Sequence, residues 1–186
     1  MKEIEYELTE LSLHLLKKDL LYRKLNEKER DHIIDSSIEI GRKAAEQKSH
    51  EGLVEHNIKD FIEIFCTIHK TDRRDSHAFS EFSYPKNIIT LYMANIEKAY
   101  INLLDKGYQV DFEKFTDVFL LHEFFHYVEE NEIGSLSQLF TVQVFKIFGY
   151  TRKVEIRMVS EIGANAFLRN IIGTPLHYIS EGGFYD

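Results

Sequence analysis

The sequence lacks the features that mark secreted, disulfide-bonded or membrane-spanning proteins. It contains one cysteine in 186 residues, which excludes an internal disulfide and fits a reducing compartment. Cys66 lies among apolar residues, so we expect a buried, inert thiol. No stretch approaches about eighteen uninterrupted apolar residues, so we expect no membrane span. The first residues carry no apolar signal-peptide core. These absences predict a soluble, cytoplasmic protein.

The chain also lacks a concentrated patch of basic residues. It has 23 Lys and Arg against 31 Asp and Glu, a formal net charge of -8. Its basic residues are scattered, and the segment 70–75 mixes both signs. Nucleic-acid binding depends largely on neutralising phosphates. We therefore expect no direct nucleic-acid binding, and the acidic surface favours basic or neutral partners.

Enough apolar material is present for one substantial core. The hydrophobic fraction is 44%, and a chain of this length fits a single domain over residues 1–186. Apolar residues at helical spacing predict a helix over 3–24, and Asn26 with Glu29 forms a capping box for a second helix that ends near Lys48. We interpret residues 1–50 as a helical hairpin with no assigned chemistry, whose outer faces are either solvated or an interaction surface.

After the hairpin, the spacing of apolar residues changes between helical and strand-like segments. This pattern predicts a mostly helical α+β fold. Three segments rich in aromatic and β-branched residues, near 67–69, 77–84 and 87–93, predict a small antiparallel sheet. The remaining predicted helices run from Asn57 through Ile64 and over 96–105, 112–130, 135–149 and 151–170.

The predicted helix over 112–130 is apolar on almost every side and belongs in the middle of the fold. Asp111 is its predicted cap, and Val110 and Phe115 occupy the two positions of a hydrophobic staple. Within it, His122-Glu123-Phe124-Phe125-His126 forms an H-E-x-x-H motif. Residues four apart on a helix share one face, so both rings can reach one metal ion.

This motif predicts a zinc-hydrolase site, in which two imidazoles bind zinc and Glu123 handles the proton of a water molecule. The motif by itself is short, and a shuffle of this composition would contain it roughly once in twenty tries. The apolar helix around the motif is what favours a metal site. Three polar groups on an apolar helix are costly to bury unless something binds them.

A catalytic zinc site needs a third protein ligand and an open position. Glu129 and Glu130 follow on the same helix, and Glu129 stacks over His126, from where it reaches the metal poorly. Glu132 has the spacing of the third metzincin ligand. Those enzymes need Gly at the third residue after the second His, and this chain has Glu129 there.

Glu161 has better surroundings and is the favoured third ligand. The small residues Gly163, Ala164 and Ala166 that follow it allow two helices to approach closely. Asn165 lies on the same face one turn later, where it can hydrogen-bond a ligand or a backbone group. Glu155, nearly two turns upstream, is the fallback.

The two motifs together resemble the ImmA/IrrE-type metallopeptidases, a gluzincin-like group whose H-E-x-x-H is followed one helix later by E-x-x-A-N-x-F. Residues 161–167 read Glu-Ile-Gly-Ala-Asn-Ala-Phe. The resemblance covers about residues 57–175 and implies a zincin-like core with Zn²⁺ as cofactor. It also implies His122, His126 and Glu161 as ligands and Glu123 as the catalytic carboxylate.

The chain departs from the family pattern at two places. Phe124-Phe125 replaces the usual small pair ending in Gly, and residues 171–175 match the family's Leu-Leu-Met-Pro only loosely. Characterised relatives cleave transcriptional repressors. The resemblance therefore implies a regulatory protease that acts on an intracellular peptide or protein, such as a repressor.

Two alternatives to peptide hydrolysis stay open at this point. One is a catalytically silent zincin fold that acts as a helical interaction module, with the Phe pair restricting the cleft or the hairpin covering it. The other is a metal-dependent hydrolase of a non-protein substrate. Residues 87–93 form either an edge strand for an extended substrate or plain core. Candidates for the oxyanion donor, by residue type alone, are His177, Tyr178, Tyr127, Arg157 and Tyr84.

Overall fold

The computed structural model describes residues 2–73, 77–147 and 150–173. Within these residues the α-helices are Lys2–Lys18 (α1), Glu27–His50 (α2), Ile58–Ile62 (α3), Met93–Asp105 (α4), Phe112–Val128 (α5), Leu136–Leu139 (α6) and Met158–Ile172 (α7). The strands are Thr67–Thr71 (β1), Ser80–Ser83 (β2), Ile88–Tyr92 (β3), Thr141–Ile147 (β4) and Tyr150–Glu155 (β5). The prediction of a mostly helical α+β fold is confirmed.

The N-terminal hairpin consists of α1 and α2, joined by a 3-10 turn at Tyr22–Lys24. The capping box of α2 is present: the Asn26 side chain accepts from the Glu29 amide at 3.0 Å, and the Glu29 carboxylate accepts from the Asn26 amide at 2.8 Å. Both helices pack against α7. The hairpin therefore supports the helix that carries Glu161.

Two glycines allow the close approach of α7 to α2 and to α5. A Cβ atom at Gly41 would overlap the carbonyl oxygen of Gly163, and a Cβ at Gly163 would lie 2.7 Å from Cζ of Phe125. Protein interiors are close-packed, so the missing side chains allow both contacts. The small residues near Glu161 thus let α7 approach α2 on one side and α5 on the other.

The three-stranded sheet is mixed, so the prediction of a wholly antiparallel sheet is wrong. Its order is β1-β3-β2, with β3 parallel to β1 and antiparallel to β2. Ile89 and Leu91 of β3 are fully buried, so the most apolar strand takes the central position. The interpretation of residues 87–93 as an edge strand is therefore also wrong, and β2 lies at the edge.

The prediction of a helix over 135–149 is wrong as well. Helix α6 is a single turn, and the chain continues as an antiparallel hairpin of β4 and β5. The Ser135 side chain makes no capping bond. Val142 and Val144 are partly buried while Thr141 and Gln143 are exposed, a period of two that a helix cannot satisfy. Residues 150–155 pair with β4 as strand β5, so α7 begins at Met158 and not at Thr151. Gly149, the predicted helix end, lies outside the described residues.

Helix α5 forms the centre of the core. The Asp111 side chain caps it by accepting from the amides of Glu113 at 2.9 Å and Lys114 at 3.3 Å. Its α-helical part ends at Val128, and a π-helical turn, Glu129–Ile133, follows. Eleven of its residues are buried. Despite this apolar character, neither α5 nor any other described helix is long and apolar enough to cross a bilayer.

Candidate metal centre

Three side chains from α5 and α7 meet at one point in a way that suits a metal ion. His122, His126 and Glu161 each offer one ligand atom, and these atoms lie within 4.8 Å of one another. Nε2 of His122 is 3.3 Å from one oxygen of Glu161, and Nε2 of His126 is 3.7 Å from the other. The structure thus brings the three sequence-predicted ligands together.

The donor set fits zinc. Two imidazole nitrogens and one carboxylate oxygen are the protein ligands of many catalytic zinc sites, which keep a fourth position open. With metal–ligand bonds of about 2.0–2.1 Å, tetrahedral ligands lie about 3.3 Å apart. The separations between Glu161 and the two rings are close to that value, so small side-chain movements would close the three ligands around an ion.

Helix α7 is held at its first turn by a residue from the other end of the chain. One carboxylate oxygen of Asp19 accepts from the backbone amides of Arg157 at 2.8 Å and Met158 at 3.3 Å. A carboxylate at this place satisfies amides that have no partner within the helix. Asp19 directly follows the end of α1, so the hairpin fixes the start of the ligand helix.

Asn165 acts on the backbone of the same helix. Its side chain is 1% exposed and donates from Nδ2 to the carbonyl oxygen of Glu161 at 2.8 Å. This is the backbone alternative of the two roles that the sequence left open. The bond restrains the turn of α7 that presents the Glu161 side chain.

A second carboxylate, Glu129, lies behind His126. Its Oε2 is 3.2 Å from Nδ1 of His126. Its Oε1 accepts from the Leu136 amide at 2.7 Å and from the Ser160 hydroxyl at 2.6 Å. Glu129 thus contacts a predicted ligand and is not itself one of the three residues that meet at the centre. Its spacing of three residues from His126 was the available signal for this contact.

The proposed catalytic carboxylate has a partner that the sequence analysis missed. The Ser80 hydroxyl donates to Oε1 of Glu123 at 2.7 Å. Glu123 is 6% exposed, so this bond offsets part of the cost of burying the carboxylate. Ser80 begins β2, and no local pattern links it to a residue 43 positions later.

The charged groups of the centre stabilise one another. Burial favours the neutral forms, but the hydrogen bond that His126 donates to Glu129 and the negative charges of Glu161 and Glu123 outweigh it and raise the pKa of His126 to about 9. Burial likewise raises the pKa of Glu161, but the two histidines outweigh it and lower that pKa to about 2. Glu129 has a lowered pKa because its three donors outweigh its burial. Glu161 and Glu129 are therefore ionised near neutral pH.

A cavity of about 550 Å³ opens over the three ligands. It is lined by His122, Glu123, His126 and Glu161, by α1 residues Leu15 and Lys18, by Met158, and by residues 77–82. The edge strand β2 forms one wall. The hairpin and α7 together form another, so the N-terminal segment takes part in shaping the cleft.

The other acidic candidates for the third ligand are engaged elsewhere. Glu132 pairs with the buried Lys48 at 2.7 Å. Glu155 accepts from the Ser137 hydroxyl at 2.8 Å and is exposed. Neither lies among the residues around the cavity, so Glu161 is the carboxylate that meets the two rings.

The Phe124-Phe125 pair does not restrict the cleft. Both side chains are fully buried and neither lines the cavity. Phe125 packs against Phe167 with ring centroids 5.6 Å apart and fills the space above Gly163. The pair thus extends the core behind the motif.

The oxyanion candidates do not reach this cavity in the described part of the chain. Tyr84, Tyr127 and Arg157 are absent from its lining, and Tyr127 stacks on Phe124 with ring centroids 5.6 Å apart. His177 and Tyr178 lie outside the described residues. The lining does include two nitrogen donors that the sequence analysis did not consider, Lys18 and His77.

A comparison with known protein families, with curated protein sequences and with solved structures finds no significant match to this chain. The resemblance to ImmA/IrrE-type metallopeptidases therefore stays a prediction that depends on the two motifs.

Proposed function

We propose that this protein is a zinc-dependent metallopeptidase with a zincin-like core. The observation that carries the proposal is the meeting of His122, His126 and Glu161 beneath a cavity that Glu123 also lines. Three nitrogen and oxygen ligands with an open side distinguish a catalytic zinc site from a closed structural one. A neighbouring carboxylate that is not a ligand supplies the base that such a site requires.

The residues of the centre have separate roles in this reaction. When bound, zinc makes water acidic near neutral pH and polarises a carbonyl group. Glu123 accepts a proton from the attacking water and then donates it to the leaving amine. Ser80 holds Oε1 of Glu123, which leaves Oε2 to carry that proton. Lys18 and His77 line the same cavity and bring N–H groups suited to a developing oxyanion.

The edge strand favours an extended polypeptide as substrate. Among the described residues β2 pairs only with β3, and residues 80–82 of this strand line the cleft. Extended peptides bind such edges by adding a strand, with main-chain hydrogen bonds giving affinity. The family resemblance implies a regulatory protein, such as a repressor, as the substrate. Such a protein would need a locally unfolded segment to bind in this way.

The test compares the purified protein with Glu123→Gln. Both are loaded with zinc, and a mixed peptide library is searched by mass spectrometry for new termini. We expect the wild type to bind about one zinc per chain and to cleave peptides. We expect Glu123→Gln to retain zinc and to lose at least about 10²–10³-fold in turnover, because the proton carrier is gone. Glu161→Ala is expected to lose zinc.

Four outcomes would contradict the proposal or one of its assignments. A wild type that takes up no zinc removes its basis, and an undiminished Glu123→Gln activity removes the role of that carboxylate. Retention of zinc by Glu161→Ala would show that the third ligand is another residue. A protein that holds zinc but cleaves no peptide would favour the interaction-module alternative.

A further inference from the structure

Glu129 connects the parts of the molecule that carry the proposed ligands. It belongs to the π-helical turn that continues α5, its Oε1 accepts from Leu136 at the start of α6, and the same oxygen accepts from Ser160. Ser160 directly precedes Glu161 in α7. One side chain, 2% exposed, therefore touches His126 and the neighbour of Glu161.

Three donors meet the two oxygens of this carboxylate. The Leu136 amide and the Ser160 hydroxyl point at Oε1, and Nδ1 of His126 lies 3.2 Å from Oε2. An ionised carboxylate only accepts hydrogen bonds. Nδ1 of His126 must therefore carry a proton. When the ring gives up its other proton to bind a metal ion, the lone pair is on Nε2, the nitrogen that lies 3.7 Å from Glu161.

We infer that Glu129 is a positioning residue that keeps the proton of His126 on Nδ1 and so leaves Nε2 to bind zinc. This inference rests on the proposed function, since it assigns Glu129 a role at that metal centre. A carboxylate behind a ligating histidine fixes the orientation of the ring and increases its basicity. The bond to Ser160 also sets the spacing between the ligand turns of α5 and α7.

The variant Glu129→Gln separates proton placement from packing, because glutamine has nearly the same shape. Its amide offers one acceptor oxygen and one NH₂ donor. If the oxygen stays with Leu136 and Ser160, the NH₂ faces Nδ1 and drives the ring proton to Nε2, where it blocks the metal. The opposite orientation sets the NH₂ against the Leu136 amide, donor against donor, and is therefore disfavoured. The favoured orientation weakens zinc binding.

Glu130→Gln provides a matched control. It makes the same change of charge one residue later, at an exposed side chain. Ser160→Ala is a second variant, because it removes one donor from Oε1 and leaves the carboxylate beside His126. We expect Ser160→Ala to weaken zinc binding less than Glu129→Gln does.

The experiment measures zinc affinity by competition with a chromophoric chelator and records ¹⁵N–¹H spectra of histidine-labelled protein. For Glu129→Gln we expect zinc affinity to fall about 10–100-fold and the protected Nδ1–H resonance of His126 to disappear. We expect the Nδ1–H resonance in the wild type and in Glu130→Gln. We expect Glu130→Gln to bind zinc as tightly as the wild type does. Circular dichroism checks that each variant is folded.

The outcomes are distinguishable from failure of the proposed function. Unchanged zinc affinity, or an unchanged Nδ1–H resonance, in folded Glu129→Gln overturns the inference. If the wild type binds no zinc, the proposed function fails, while the Nδ1–H resonance in metal-free protein still decides the role of Glu129. If Glu129→Gln does not fold, absence of that resonance from the wild type overturns the inference and its presence, unaltered in Ser160→Ala, supports it.

Discussion

The two halves of α5 bury acidic groups in opposite ways. In the first half Asp117 is partly buried, and its burial together with the charges of Glu113 and Asp111 raises its pKa to about 6. In the second half and the π-helical turn that follows it, Glu123 and Glu129 are more deeply buried, yet each accepts a hydrogen bond from another element. Depth of burial alone therefore does not decide which of these carboxylates is costly.

The difference lies in which elements face each half. The second half faces α7 and the edge strand β2, which bring hydroxyl donors and the opposing Glu161. Asp117 faces carboxylates of its own helix end, and Lys70 only partly offsets them. An apolar helix can hold ionised groups where other elements supply partners, and it loses stability where they do not.

The largest effect on the second half of α5 is expected from a substitution that displaces α7, the helix that this half faces. Gly41→Ala places a methyl group against the Gly163 backbone, which cannot move without shifting the ligand helix. We expect the free energy of unfolding to fall by about 2–3 kcal/mol, measured by urea denaturation, and zinc affinity to fall with it. An unobstructed Gly→Ala change inside a helix would stabilise by about 1 kcal/mol. An increase in stability would therefore contradict the close approach.

Removing a single partner should have a smaller, purely catalytic effect. Ser80→Ala deprives Glu123 of its donor and should lower kcat about tenfold, since a hydrogen bond to a charged group contributes about 1.5 kcal/mol. Zinc content and KM should change little. Ser80→Thr, which keeps the hydroxyl, should recover most of the activity. Ser83→Ala, on the same strand but outside the cavity lining, is the control, and an equal loss there would contradict the assignment.

The first half of α5 allows the opposite test, in which a substitution should stabilise the folded protein. The pKa of Asp117 is raised in the folded state, so ionisation destabilises the fold as the pH rises from about 4 through about 6. Asp117→Asn removes that cost. We expect the variant to be about 1–2 kcal/mol more stable at pH 7 and equal to the wild type near pH 4. Urea denaturation at both pH values checks this, and a variant less stable at pH 7 would contradict the comparison.

Predictions based on local pattern agree with the structure where nearest neighbours along the chain decide the outcome. The capping box of Asn26 and Glu29 and the cap at Asp111 are present, because these bonds join residues two or three positions apart. The thiol of Cys66 is buried as expected, and burial raises its pKa to about 12. The helix predicted over 135–149 is wrong because residues 141–147 pair with β5 as a strand, with one face partly buried at 142 and 144.

The sequence by itself determined that two histidines share one face of a buried helix, because the helical period alone places residues four apart together. It also marked Glu161 as the carboxylate with the best surroundings. Only the tertiary structure decided what surrounds them: β3 at the centre of the sheet, Ser80 beside Glu123, Asp19 at the start of α7, and Glu129 between His126 and Ser160. These contacts join residues from separate elements, and their geometry follows from how the elements pack, which no local period encodes.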